Sequence, residues 1–211
     1  MVAIVDYGMG NLRSVRRALR SLKADSAITS DHDELRAADR IVLPGVGAFG
    51  AAMARLRAQG LDTLLTTLVR DEGKPVLGIC LGMQLVCTDS EEHGHHDGLG
   101  WIDASVRRFA FPPEATRLRV PHVGWNDVEG RPGSVLVPEG GVFYFVHSFH
   151  AVARNAADVT AEATYGERFP ACLERDNIFA AQFHPEKSQE EGLGVLRRFL
   201  DWQPGVAAVA A

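Results

Sequence analysis

A cysteine framed by two glycines, Gly78-Ile79-Cys80-Leu81-Gly82, follows the apolar run "PVLGI" and precedes a helical pattern that begins near Leu81. A residue at the turn from strand to helix is presented at the carboxyl edge of a sheet, where ligands of α/β proteins sit. The G-x-C-x-G spacing matches the G-x-S-x-G nucleophile elbow, whose glycines let a strained turn approach neighbouring backbone without Cβ clashes. Unpaired N–H groups and the positive end of the dipole at a helix start favour thiolate over thiol. Cys80 therefore reads as a nucleophile, against the alternative of a small buried apolar residue. Cys87 stands two helical turns further on without glycines and reads as core packing, and Cys172 has no comparable frame.

A thiol nucleophile needs a base, and the base needs an orienting group. Among eight histidines, His184 is distinguished by "QFHPEKS", after the strand-like "IFAAQF" and two residues before Glu186. Pro185 pushes His184 into an extended conformation, so the two side chains fall on one side of the chain. The carboxylate would then fix the tautomer and leave the other ring nitrogen for sulfur. Acyl chemistry also needs donors for an oxyanion. The Leu81 N–H is one, and the glycine-rich turn "LPGVGAFG", with Gly45 and Gly47, is placed to supply another; no G-K-[ST] follows it, so it is not a P-loop.

These residues need a scaffold. In the first half, β-branched runs alternate with amphipathic helices: "VAIVDY", a helix over Asn11 to Ala24, "SAITS", a short helix through "DELRAA", "RIVLP", helices through "AFGAAMARLRAQ" and "LDTLLTTLVRDE", then "PVLGI". Such alternation predicts a doubly wound, largely parallel α/β sheet with helices on both faces. From Trp101 to Gln182 the segments "SVRRF", "LRVPHVGW", "GVFYFVHSF", "DVTAEATY", "ACLERD" and "IFAAQF" read as additional antiparallel or mixed strands. A final helix over about Gln189 to Trp202 closes a single domain, residues 1–202, and residues 203–211 read as a mobile tail.

Composition narrows the partners. With 211 residues, 46% apolar and 23% charged, the chain can bury one continuous core. A net charge of -5 gives no general attraction to nucleic acid or to anionic membranes. Arg13, Arg16, Arg17, Arg20 and Lys23 nevertheless cluster on the first helix, as a solvated face or a docking surface for protein. "MVAIVDYGMGN" carries neither a basic leader nor a long apolar segment, and three cysteines without metal spacing suit a reducing compartment, so a cytoplasmic protein is expected. His93, His95 and His96 in "EEHGHHDGLG" read as a solvated loop, with no metal and no cofactor expected.

Taken together, "GICLGMQ", "FHPEKS" and "PGVGAF" resemble the class I, triad-type glutamine amidotransferases. "DYGMGN", "PHVGWN" and "YFVHSF" are similar, more narrowly, to glutaminase subunits of imidazole glycerol phosphate synthases in histidine biosynthesis. That resemblance implies a Cys80–His184–Glu186 triad hydrolysing L-glutamine through a glutamyl thioester. It implies an oxyanion hole from Val46, Gly47 and Leu81, and a substrate pocket from Gln84, Glu92 and backbone around Gly45, Ser148 and Phe149. Phe149 stands where a tyrosine is common in the family. The partner implied is a (β/α)8-barrel cyclase that receives the ammonia, with Asn11, Arg16, Trp125, Tyr144 and Lys187 toward it. Three other readings stay open: an amidotransferase subunit of anthranilate or aminodeoxychorismate synthesis, which would share the triad but lack "DYGMGN" and "PHVGWN", a free-standing cysteine hydrolase, and a binding protein with a redox-sensing cysteine.

Overall fold

The structure, a computed structural model, describes residues 1–111 and 118–204. Of the tail expected after Trp202, residues 205–211 lie outside the described residues. In chain order the strands and helices are β1 (Val2–Val5), α1 (Leu12–Ser21), β2 (Ser26–Thr29), α2 (His32–Ala37), β3 (Arg40–Gly45), α3 (Phe49–Ala58), α4 (Leu61–Thr66), β4 (Val76–Cys80) and α5 (Leu81–Leu85). They continue with β5 (Cys87–Ser90), β6 (His96–Asp97), β7 (Ile102–Arg108), β8 (His122–Gly130), β9 (Gly141–His147), β10 (Phe149–Ala153), β11 (Val159–Tyr165), β12 (Glu167–Arg175), β13 (Ile178–Ala181) and α6 (Gln189–Asp201).

Nine strands form one sheet in the order β2-β1-β3-β4-β13-β12-β11-β8-β9. Pairing is parallel from β2 through β13 and antiparallel from there to β9. The first half of the chain therefore builds a parallel half-sheet, as the β/α alternation requires, and the second half extends the same sheet with antiparallel strands. Helices α1 and α6 cover one face, where Val15, Leu19, Val195, Leu196 and Phe199 meet Ile4, Val42 and Phe179. On the other face α2, α3 and α4 bury Leu35, Phe49, Met53, Leu56 and Leu65 against Val5, Ile41 and Leu43.

Three features depart from the sequence reading. A second sheet, β10-β7-β5-β6, packs on the α3 side of the molecule. The apparent strand "GVFYFVHSF" breaks at Ser148, so β9 pairs with β8 in the large sheet and β10 with β7 in the small one. The helix after Cys80 is only five residues long, and Cys87 opens β5 instead of lying on that helix, although it is buried as expected.

Candidate active site

Cys80 ends β4 with φ +54° and ψ −105°, a backbone state that L-residues rarely hold, and Leu81 starts α5 immediately after it. The flanking glycines make the turn possible by touching backbone. A Cβ on Gly78 would stand 2.8 Å from the carbonyl carbon of Gly82, and one on Gly82 would stand 2.9 Å from the carbonyl carbon of Leu43 and closer still to its oxygen. Helix α5 thus lies flat on β4 and β3. Because α5 has little more than one turn, the field of a long helix is absent and the local N–H groups at its start are what remains for an anion.

Cys80 is 6% exposed, and its thiol donates toward the Val146 carbonyl oxygen at 3.8 Å. Strand β13 runs parallel to β4 with Ile79 beside Ala181, so the next residue pair in the same register is Cys80 and Gln182. His184 follows two positions later, its backbone N–H bonded to the Tyr144 carbonyl at 2.9 Å. Its Nδ1 lies 2.8 Å from Glu186 Oε1. The two side chains meet by another route than extended chain: His184 is extended, and the 3-10 turn Pro185–Lys187 folds Glu186 back beneath the ring. Ser188 fixes this turn, donating to the His184 carbonyl at 2.7 Å while accepting from the Tyr144 N–H at 3.0 Å.

Burial lowers the pKa of His184, but hydrogen-bonding and charge interactions with Cys80 and Glu186 outweigh it and push the value up to about 9. Nε2 is buried and forms no hydrogen bond within normal geometric limits in this resting arrangement. Catalytic hydrogen bonds are commonly long before substrate arrives. The site therefore holds a thiol, an imidazole whose charge state responds to it, and a carboxylate that fixes the imidazole.

A cleft of about 420 Å³ opens over Cys80 and His184. Of the residues expected around it, Val46, Gly47, Leu81, Gln84, Glu92, Ser148 and Phe149 line its wall. Gly47 has φ +96°, the freedom a mobile peptide there would use. Gly45 is set back from the wall: it pairs in register with Cys80, and the space over its Cα is filled by Tyr7 and Leu81. Glu92 accepts from the Phe49 N–H at 2.6 Å, tying the cleft to the start of α3. Gln84 donates through Nε2 to the Phe149 carbonyl at 2.9 Å and to Gln182 Oε1 at 3.2 Å. The Phe149 side chain packs on the core, so this residue faces the site through its backbone.

The residues expected at a partner surface divide. Arg16 is exposed on α1, and Trp125 and Tyr144 are cross-strand neighbours with ring centroids 6.0 Å apart. Lys187 Nζ sits 5.6 Å from the Tyr144 ring centroid and also reaches the cleft. Asn11 instead turns inward, donating to Glu186 Oε1 at 3.3 Å. Sequence reasoning missed Val123 and Val142, which are exposed beside Trp125 on β8 and β9, and the buried pair His122 and His147, whose ring nitrogens stand 3.2 Å apart. Pro121 and Val146 on the cleft wall also went unnoticed. For Gln182 a signal existed: it precedes His184 by two residues, which in a strand means the same side. Among the described residues no group of His, Cys, Asp and Glu could hold a metal ion, and His95 pairs with Asp97 at 3.3 Å.

Comparison with known proteins agrees with this geometry. Residues 3–202 match the family model of glutamine amidotransferase class-I. "Imidazole glycerol phosphate synthase subunit HisH 2" of Nitrobacter winogradskyi is 46% identical over 211 residues, covering 96% of this chain and 99% of the relative. The subunit HisH of Methanothermobacter thermautotrophicus is 49% identical over 204 residues, covering 95% and 98%. A crystal structure described as a glutamine amidotransferase superimposes with a TM-score of 0.72 at 22% identity, covering 95% of this chain and 98% of that one, which speaks to the fold alone. With a cysteine at a strained strand-to-helix elbow, an imidazole–carboxylate pair beside it and near full-length likeness to these subunits, the chain belongs to the class-I glutamine amidotransferases and, within them, to the HisH subunits of imidazole glycerol phosphate synthase.

Proposed function

We propose that this chain is the glutaminase of an imidazole glycerol phosphate synthase in histidine biosynthesis, with Cys80, His184 and Glu186 as its triad. Cys80 Sγ attacks the side-chain amide carbon of L-glutamine as its proton passes to His184 Nε2. The C–N bond breaks as His184 returns that proton to the leaving nitrogen, and ammonia departs from a glutamyl thioester. Water then adds to the thioester carbon with His184 as base, the C–S bond breaks, and glutamate leaves. Glu186 holds the ring and balances the imidazolium in both halves. The oxyanion of each tetrahedral intermediate is assigned to the Leu81 N–H and the peptide at Val46–Gly47. Gln84, Glu92, Ser148 and Phe149 hold the amino-acid head group, Glu92 offering a carboxylate to its ammonium.

The ammonia is destined for a cyclase partner, read as a (β/α)8 barrel, docked on the face that carries Arg16, Trp125, Tyr144 and Lys187. Asn11, hydrogen-bonded to Glu186, lies between that face and the triad. Neither nucleic acid nor membrane belongs to this reading: the net charge is -5, and among the described residues no helix is long and apolar enough to cross a membrane. A cytoplasmic setting fits three free cysteines. The observation that carries the reading is the 2.8 Å contact between His184 Nδ1 and Glu186 Oε1 next to the elbow cysteine. The test is glutamate release from glutamine by the chain alone and with the cyclase and its nucleotide ligand. Low activity alone, strong stimulation by the pair and loss of both in Cys80→Ala are expected. Rapid turnover that ignores the partner would make the chain a free-standing hydrolase.

A further inference from the structure

Gln182 is fully buried, and its Nε2 lies 3.7 Å from Cys80 Sγ. Which end of an amide faces a neighbour is decided by the network around it, and here that network has a fixed starting point. The Phe149 carbonyl oxygen can only accept. It receives Gln84 Nε2 at 2.9 Å and His147 Nδ1 at 2.9 Å. Gln84 therefore presents its NH2 group on this side, and the same nitrogen reaches Gln182 at 3.2 Å. The atom of Gln182 that meets it must accept, which makes it Oε1 and turns the Gln182 NH2 group toward sulfur. Reversing either amide would set two donors against each other or two acceptors against each other around the fully buried Gln182.

Besides His184, the sulfur thus has two polar neighbours with opposite preferences. The Val146 carbonyl oxygen at 3.8 Å accepts from the thiol and repels the thiolate, whereas the Gln182 N–H donates to sulfur and does so more strongly when sulfur is charged. We infer that Gln182 is a further catalytic residue, a buried donor that stabilises Cys80 as thiolate both before attack and when the C–S bond of the thioester breaks, its amide held in register by Gln84 and the Phe149 carbonyl. The role in turnover rests on the triad reading above. Stabilisation of the sulfur anion does not, and it is measured separately.

The experiment is alkylation of the isolated chain by iodoacetamide at pH 7.5, followed as a second-order rate by intact mass, with Cys80→Ala as the blank. Cys87 and Cys172 are fully buried, and burial pushes both thiols up, so Cys80 carries the signal. Gln182→Met, of similar length but without a donor, is expected to react roughly tenfold more slowly than the parent chain. Gln182→Glu, the isostere that turns an acceptor to sulfur, should be at least as slow and serves if the Met variant does not fold. A merely structural Gln182 would give the opposite sign, since loosening the elbow exposes the thiol and speeds its reaction. A folded Gln182→Met or Gln182→Glu chain that alkylates as fast as the parent, or faster, overturns the inference and leaves the glutaminase reading intact. Slowed alkylation in a chain whose parent releases no glutamate with the cyclase would sink the reading and leave the donor. Gln84→Met should cost about two- to threefold in the parent and nothing further in Gln182→Met; a full, additive loss there would refute the orientation argument.

Discussion

Replacing Glu186 by Gln changes charge while keeping shape. Glu186 Oε1 accepts from both His184 Nδ1 at 2.8 Å and Asn11 Nδ2 at 3.3 Å, and a glutamine carbonyl oxygen in the same place can accept both. The new NH2 group would occupy the position of Oε2, a buried atom with no partner to lose. What disappears is a negative charge against an imidazolium that must form in each half-reaction. Two unit charges about 4 Å apart at an effective dielectric of about 20 attract by about 4 kcal/mol, and that amount in an activation barrier is about a thousandfold in rate. Allowing for relaxation around the buried pair, kcat for partner-stimulated glutamate release should fall by about 10²- to 10³-fold, with KM for glutamine nearly unchanged because Glu186 does not line the cleft. The same change has a pH signature. The raised pKa of His184 contributes stability that is complete below about pH 6.5, the unfolded value, and is lost as pH rises through about 9. In Glu186→Gln that loss should begin at lower pH, visible as a melting temperature that declines earlier across pH 7 to 10. Activity within threefold of the parent chain would refute the carboxylate's role and the charge argument together.

Further perturbations test other parts of the site. Burial lowers His122 to about 4 and His147 to about 3, so both stay neutral in the fold but protonate near 6.5 when unfolded. Stability is then complete above pH 6.5 and declines with falling pH toward those values, by up to about 1.4 kcal/mol per unit for each group; the urea midpoint should drop clearly between pH 7 and 5, and a flat midpoint would show that the pair is not held neutral. Gly82→Ala forces a Cβ against the Leu43 backbone, and overpacking against strand backbone should cost about 3 kcal/mol or more, near 6 to 12 °C in melting temperature for a chain of this size. Trp125, 49% exposed and stacked edge-on to Tyr144, is expected to be an anchor for the cyclase. Trp125→Ala should weaken that complex about 30-fold by calorimetry, without altering Cys80 alkylation in the isolated chain.

The parts legible in the sequence were those written in apolar periodicity or in a local motif. The β/α alternation up to Cys80 announces the parallel half-sheet, and glycines at fixed offsets announce the elbow. The small sheet was hidden because two of its four strands, β5 and β6, are short and polar. Asp89 on β5 is buried, satisfied by Ser105 at 2.9 Å and Arg107 at 2.9 Å, partners that no local pattern reveals. For the same reason "CTDS" reads as the end of a helix and "HHDG" as loop, although His96 and Asp97 form β6. The break at Ser148 was invisible because Phe143, Phe145, His147 and Phe149 keep an unbroken alternation in the sequence, although the buried positions change phase there, from His147 to His150, and the two flanking strands belong to different sheets. Gln182 went unnoticed because the significance of a glutamine in a strand depends on what lies across from it.

What lies across from it is set by one strand pair. Cys80 comes from the parallel half of the sheet and His184 from the strand where the antiparallel half begins, so the site depends on how β4 and β13 align. The side chains of β13 alternate: Phe179, Ala181 and Phe183 pack on the α6 side, with Phe183 stacked on Phe143 at 4.0 Å and Phe179 edge-on to Phe199 at 5.9 Å. Gln182 and His184 take the other positions. Asn177 pins the start of the strand, donating to the carbonyls of Val69 and Lys74 at 2.8 Å each. A slip of one residue would bring Ala181 or Phe183 to the sulfur and drive Gln182 and His184 into the aromatic layer. The aromatic packing on the far side of the sheet and the Asn177 clamp therefore do more than stabilise the fold, because they set the register that brings donor, base and nucleophile to the same edge.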